Sequence, residues 1–215
     1  MYKKKLARTS LSAGFTMLEL AAVLAIMTIL MSVFYFNFRA YNSNSLVTNL
    51  AYEIALNIRE AQTYGLDVKV IGPGLGFDTG YGVYFKASTP TSYIFFTDRN
   101  KNAQYDATPI DEQLKTVNLT IGSKIYAICV THNNSDKCST DQGLGSKITD
   151  MTISFLRPNP DAIVRHNRLT DVQPQKPTDK DQYSSAKIII SSADESRKKT
   201  IVVTGTGQVS IPNVQ

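Results

Sequence analysis

The sequence predicts an α+β fold, a long N-terminal helix laid against antiparallel β-sheet, on three observations. Leu20 to Phe38 form a run of 19 residues without formal charge. Residues 46–61 repeat apolar side chains at helical spacing, and beyond Gly65 the chain breaks into short β-type runs separated by turn residues. With 215 residues, 42% of them hydrophobic, the chain suffices for one core of moderate size plus an appended segment.

The N-terminal helix begins in a basic leader. Formal net charge is +5, and Lys3, Lys4, Lys5 and Arg8 supply +4 of it before residue 15. Without residues 1–14 the remaining 201 carry 5 − 4 = +1, so the basic character belongs to the leader rather than to a nucleic-acid-binding face on the body. As a helix, residues 20–38 would extend about 28 Å, near the hydrocarbon thickness of a bilayer. Cations before the run and no acid directly after it place the N-terminus on the cytoplasmic side. A secretory signal would be shorter and end at a small-residue cleavage site, whereas here Tyr35, Phe36, Asn37, Phe38 and Arg39 close the run. A plain uncleaved anchor leaves Glu19 unexplained, because a carboxylate without a partner in lipid costs several kcal/mol.

Beyond the apolar run, Leu46, Leu50, Ile54, Ile58 and Ala61 mark one apolar stripe of an amphipathic helix, and Gly65 is a natural stop. Asn42, Ser43, Asn44 and Ser45 either begin a second helix or mark a soft point in a continuous one. If continuous, residues 15–64 would measure about 75 Å along the axis.

The remainder reads as strands at 67–71, 81–86, 92–97, 113–119, 124–130, 150–156, 186–191, 200–204 and 207–211. Gly205-Thr206 predicts a tight hairpin between the last two. Residues 157–185 hold four of the eight prolines and many polar side chains, which predicts a long exposed loop.

Four stretches are candidate sites. In "DRNKNAQYD", Asp98, Asn100, Asn102, Gln104 and Asp106 place oxygen-bearing side chains at alternate positions, the pattern by which a tight loop gathers a hard cation such as calcium. Against the calcium-loop template the glycine position is Ala103 and the final acid position is Pro109, with Asp111 or Glu112 as substitutes. The competing reading is a polar turn closed by Asx bonds. Cys129 and Cys138 read as one disulfide closing a short loop in an exported protein, or as two free thiols in a reducing compartment. "SRKKT" offers Arg197, Lys198 and Lys199 either as a DNA contact or as a solvated turn. "GPGLGF" at 72–77 reads as a turn rather than a phosphate cradle, since Pro73 interrupts it and no helix follows. No nucleophile elbow, zinc-protease motif or P-loop occurs, and His132 and His166 lack a ligand-like spacing, so the sequence does not read as an enzyme.

"KKKLARTSLSAG" followed by "FTMLELAAVLAIMTILMSV" resembles the class III signal of type IV filament proteins, the pilins, minor pilins and type II secretion pseudopilins. That resemblance implies a cytoplasmic cut between Gly14 and Phe15 by a prepilin peptidase, and N-methylation of the new Phe15 amine by the same enzyme. It implies that Glu19 pairs with such an amine, largely that of a neighbouring subunit, as the helix passes from lipid into a filament. The helix dipole favours a carboxylate at this position as well. The implied partners are other pilin or pseudopilin subunits, the inner-membrane assembly machinery and membrane lipid. The implied location is a single pass through a bacterial inner membrane, with the body outside the cytoplasm, and then the filament. On this basis residues 1–14 are a cleaved leader, 15–38 a transmembrane and assembly helix, 39–65 its amphipathic continuation and 66–215 a β-rich body. Phe15 to Tyr64 contain no proline or glycine, unlike many major pilins, which tilts the reading towards a minor pilin or pseudopilin. "FFTDRNKNAQYD", Asp111-Glu112 and "IVVTGTGQVSI" resemble the body of pseudopilin H and the FimT minor pilins, which are linked to DNA uptake.

Overall fold

Residues 14–67, 79–107, 112–119, 122–142, 147–168 and 183–212 are described in a computed structural model of the chain. Helix α1 covers Met17–Leu66. The chain divides into two units, residues 1–42 and 43–215, each taken by itself.

In the second unit ten strands follow the helix. In chain order they are β1 (Gly80–Lys86), β2 (Ser92–Asp98), β3 (Glu112–Asn118), β4 (Ser123–His132) and β5 (Ser135–Cys138). Then come β6 (Ile148–Phe155), β7 (Ala162–Arg168), β8 (Ser185–Ser192), β9 (Lys198–Thr204) and β10 (Val209–Ser210). They form two antiparallel five-stranded sheets, ordered β3-β2-β1-β6-β7 and β10-β9-β8-β4-β5. The fold is α+β.

Period-two alternation decides which side chains enter the core. Tyr81, Val83 and Phe85 of β1, Met151, Ile153 and Phe155 of β6, and Ile188 and Ile190 of β8 all point into one apolar cluster. Val47, Leu50, Ala51, Ile54, Ile58 and Ala61 of α1 join the same cluster, each at most 2% exposed. Burying a Val, Leu or Ile side chain contributes about 1.5–3 kcal/mol, so this stripe is a major share of what holds the unit together.

One polar residue interrupts the stripe and is fully matched. Asn57 Nδ2 donates to the Tyr93 hydroxyl (2.6 Å), and Lys115 Nζ donates to Asn57 Oδ1 (3.0 Å). Burial pushes the Tyr93 hydroxyl well above its ordinary pKa, which keeps its proton in place. Further along, Arg59 Nη2 donates to the Val209 carbonyl (3.1 Å), and Gln62 Nε2 donates to the carbonyls of Pro160 (3.0 Å) and Gly207 (3.2 Å). At Gly65 α1 passes close to β6, since a Cβ there would sit 2.7 Å from the Phe155 carbonyl oxygen.

Two expectations are corrected. Residues 157–185 are not one long loop, because β7 occupies 162–168 and buries Ala162, Val164 and His166 in alternation. The short loop expected between Cys129 and Cys138 is a hairpin whose second arm is β5. The last hairpin is looser than a two-residue turn, with Val209 facing Val203 and the left-handed conformation falling on Gly207 (φ 81°). The expected strand at 67–71 lies mainly, and "GPGLGF" wholly, outside the described residues.

Ile58 has no exposed surface. Ile58→Ala is expected to lower unfolding free energy by about 2–5 kcal/mol, read as a shifted denaturation midpoint with unchanged slope.

Candidate functional site

At the start of α1, Thr16 acts as the N-cap. Its Oγ1 accepts the Glu19 backbone N–H (3.2 Å), and its carbonyl accepts the Leu20 N–H (3.1 Å). Thr16 and Glu19 therefore form the S/T-x-x-E pattern of a capping box, a signal present in the sequence that the charge argument passed over. Glu19 lies in this first turn, while Gly14 and Phe15 precede the cap, with Phe15 76% exposed. Met17–Tyr35 is a 19-residue helical stretch long and apolar enough to cross a membrane, with none of it buried within the protein. Two of its hydroxyls are satisfied within the helix: Thr28 Oγ1 donates to the Ala25 carbonyl (2.9 Å) and Ser32 Oγ to that of Ile29 (2.7 Å).

The "DRNKNAQYD" loop is gathered, and closed by its own groups. Asp98 is wholly buried, and its carboxylate accepts the backbone N–H groups of Asn102 (3.2 Å) and Ala103 (2.7 Å). The amide nitrogens of Asn100 and Asn102 both donate to Asp106 Oδ2, at 2.9 and 2.6 Å. Their amide oxygens accept the N–H groups of Asn102 (3.2 Å) and Gln104 (2.8 Å). Side-chain oxygens of Asp98, Asn100 and Asn102 thus accept backbone N–H groups and Asp106 Oδ2 accepts two side-chain amides, bonds of the kind the Asx reading expects. Ala103, at the template's glycine position, takes the left-handed conformation (φ 62°) that glycine would favour.

This loop folds back over the face of the first sheet opposite the core. The Tyr105 ring packs 4.9 Å from Tyr84 and 5.2 Å from Phe96, and Ser154 Oγ donates to the Ala103 carbonyl (3.2 Å). Phe96 lies against Gly82, where a Cβ would meet its ring at 2.8 Å, so the glycine makes room for the aromatic cover. On the same face Asp150 accepts from Asn167 Nδ2 (2.8 Å) and Thr149 Oγ1 (3.1 Å). Burial raises the pKa of both Asp98 and Asp150 above the ordinary 3.8, outweighing the hydrogen bonds that pull them down.

Cys129 and Cys138 are joined in a disulfide between directly facing residues of β4 and β5. The turn between them places Asn133 (φ 48°) and Asn134 (φ 61°) in the left-handed region, as a two-residue hairpin requires. Asp136 fastens the hairpin further, accepting from Thr131 Oγ1 (2.6 Å) and pairing with Lys187.

Of Arg197, Lys198 and Lys199, the last two lie on opposite faces of β9. Lys198 lies over the Tyr126 ring, 3.4 Å from its centre. Lys199 faces the core residue Ile190 in register and so points to the opposite side of β9. Acids share the turn: Asp194 accepts from Ser192 and Ser196, and Glu195 pairs with Lys124 (2.6 Å).

No family model, curated protein or solved structure matches the chain.

Two measurements test these sites. Replacing Cys129 and Cys138 together by alanine is expected to cost roughly 2–3 kcal/mol of stability, the loop-entropy contribution of so short a closure. Asp98 and Asp150 have folded pKa values above their unfolded ones. Their contribution is therefore complete below pH 3.8 and is lost as pH rises through the folded values. Stability should accordingly decline from pH 4 upward, and Asp150→Asn should flatten part of that slope in denaturation curves taken across pH.

Proposed function

We propose that the chain is a prepilin-type subunit, cut between Gly14 and Phe15, N-methylated at Phe15, and built into a type IV pilus or type II secretion pseudopilus through its N-terminal helix. The observation that carries this reading is "GFTMLEL" at the start of an exposed, membrane-length helix in which Glu19 is the one charge. Cutting at Gly14 removes four cations and leaves the apolar helix attached, so the product stays in the membrane with its N-terminus cytoplasmic and its body outside. The new Phe15 amine adds positive charge at the helix N-terminus, where Glu19 supplies the matching carboxylate. The Thr16 cap holds that turn in shape, and Glu19 is free to answer an amine of a neighbouring subunit once lipid is exchanged for protein. The β-rich body, resting on the amphipathic half of the helix, fits a pilin-like architecture, and the lack of helix breakers favours a minor pilin or pseudopilin over a major subunit.

Mass spectrometry of the mature N-terminus should find methylated Phe15; a chain intact from Met1, or cut elsewhere, would sink the proposal. Glu19→Gln keeps a residue that serves a capping box but removes the charge. It should be inserted and processed normally yet enter filaments as poorly as Glu19→Ala. Normal incorporation of Glu19→Gln would reduce Glu19 to a helix cap.

A further inference from the structure

Lys115 shares one side of β3 with the core residue Val117 and faces the buried Phe95 in register. Its Nζ lies 5.8 Å from the centre of the Phe95 ring and turns towards α1. There it meets two groups one helical turn apart, Asn57 Oδ1 at 3.0 Å and Glu60 Oε2 at 3.8 Å. An amine, a carboxamide and a carboxylate thus converge at the rim of the core.

The two helical partners are each held from behind. Asn57 is 8% exposed, and its Nδ2 donates to the Tyr93 hydroxyl (2.6 Å), so the amide plane is fixed with its carbonyl towards Lys115. The other oxygen of Glu60, Oε1, accepts from the Tyr64 hydroxyl (2.8 Å). Tyr64 is itself lodged edge-on against Tyr81 (5.6 Å) and Phe95 (5.9 Å). The Lys115 and Glu60 side chains keep 48% and 39% of their surface exposed, which leaves a small product a way out to water.

A lysine that only covered a strand edge would send its ammonium out to water. Here the amine rests on the carbonyl oxygen of a buried amide, one bond from the carbon that a nucleophile attacks, beside an oriented base. We propose that Lys115 and Asn57 condense into an isopeptide bond, with Glu60 as the proton carrier. Nζ bonds to the side-chain carbonyl carbon of Asn57, and the bond from that carbon to Nδ2 breaks, its electron pair leaving with the nitrogen. Nζ gives up two protons, one to become a free amine and one to become an amide. Glu60 passes both to the departing nitrogen, which leaves as ammonium. A lysine ammonium and a primary amide thus become a secondary amide and an ammonium ion, with no oxidant, reductant or cofactor. The bond fastens α1 to the edge strand β3.

Tryptic peptide mapping of the full-length protein by mass spectrometry tests this. Trypsin does not cut after an acylated lysine, so peptide 40–59 should appear joined to 102–124, lighter than their sum by one ammonia. Lys115→Arg should release 40–59 by itself. Glu60→Gln should slow the joining in freshly synthesised protein by about 100-fold or more, the usual scale of general acid–base catalysis. Free 40–59, 102–115 and 116–124 from the unaltered chain would overturn the proposal and leave the contact a hydrogen bond alone. Ammonia lost from 40–59 without joining, the mark of a succinimide at Asn57, would overturn it as well, and so would joining at full rate in Glu60→Gln. The decisive peptide comes from the unaltered chain, so it does not require either variant to fold. Leader cleavage and filament assembly do not touch it.

Discussion

The body depends on one apolar stripe. Two five-stranded sheets each present a greasy face to the same cluster, and Val47, Leu50, Ala51, Ile54, Ile58 and Ala61 supply the helical wall of that cluster. A sheet with a single bare apolar face is unstable in water, so neither sheet is a unit without the other elements. The four-residue spacing along this part of α1 is thus a requirement of the β-structure as much as of the helix. Asn57 shows how strict the requirement is: the polar residue within the stripe reaches both a tyrosine hydroxyl and a lysine amine rather than being left unmatched.

A second, smaller core sits on the other side of the first sheet. It is built from the polar loop that looks most like a metal site. The loop's acids and amides are consumed in closing the turn, and its Ala103 and Tyr105 provide the packing surface over Phe96, Tyr84 and Gly82. Alternating oxygen-bearing residues are thus equally the recipe for an ion cage and for a self-satisfied lid. What separates the two is the direction of each amide, which depends on the backbone beneath.

Much of the architecture was legible because it is written in periodicity. The four-residue spacing gave the amphipathic helix, and β1, β2, β4, β6 and β8 follow from alternation between turn residues. What misled was composition. Four prolines and many polar residues in 157–185 hid "AIVRHNR", although its Ala162, Val164 and His166 alternate inward as in any other strand. In the first turn of α1 the charge of Glu19 stands out in the sequence, whereas the capping role of Thr16 lies in its spacing to that residue. The meeting of residues 161–162, 183–184 and 204–206 was not readable at all, because these are three separate stretches joined in part through the backbone bonds of Gly205. The cations of "SRKKT" show the converse limit: adjacency in sequence put Lys198 and Lys199 on opposite faces of a strand.

Arg59 and Gln62 carry a consequence for how the chain behaves when crowded. β10 is only two residues long and ends its sheet, and such an edge offers bare carbonyls to any extended chain that drifts past. Here the carbonyls of Val209 and Gly207 are already taken by donors from α1, so part of that edge is spoken for before a stranger arrives. The same helix that fills the core also guards against runaway strand-to-strand stacking. Loss of either side chain would first be noticed as precipitation at high concentration rather than as a change in fold.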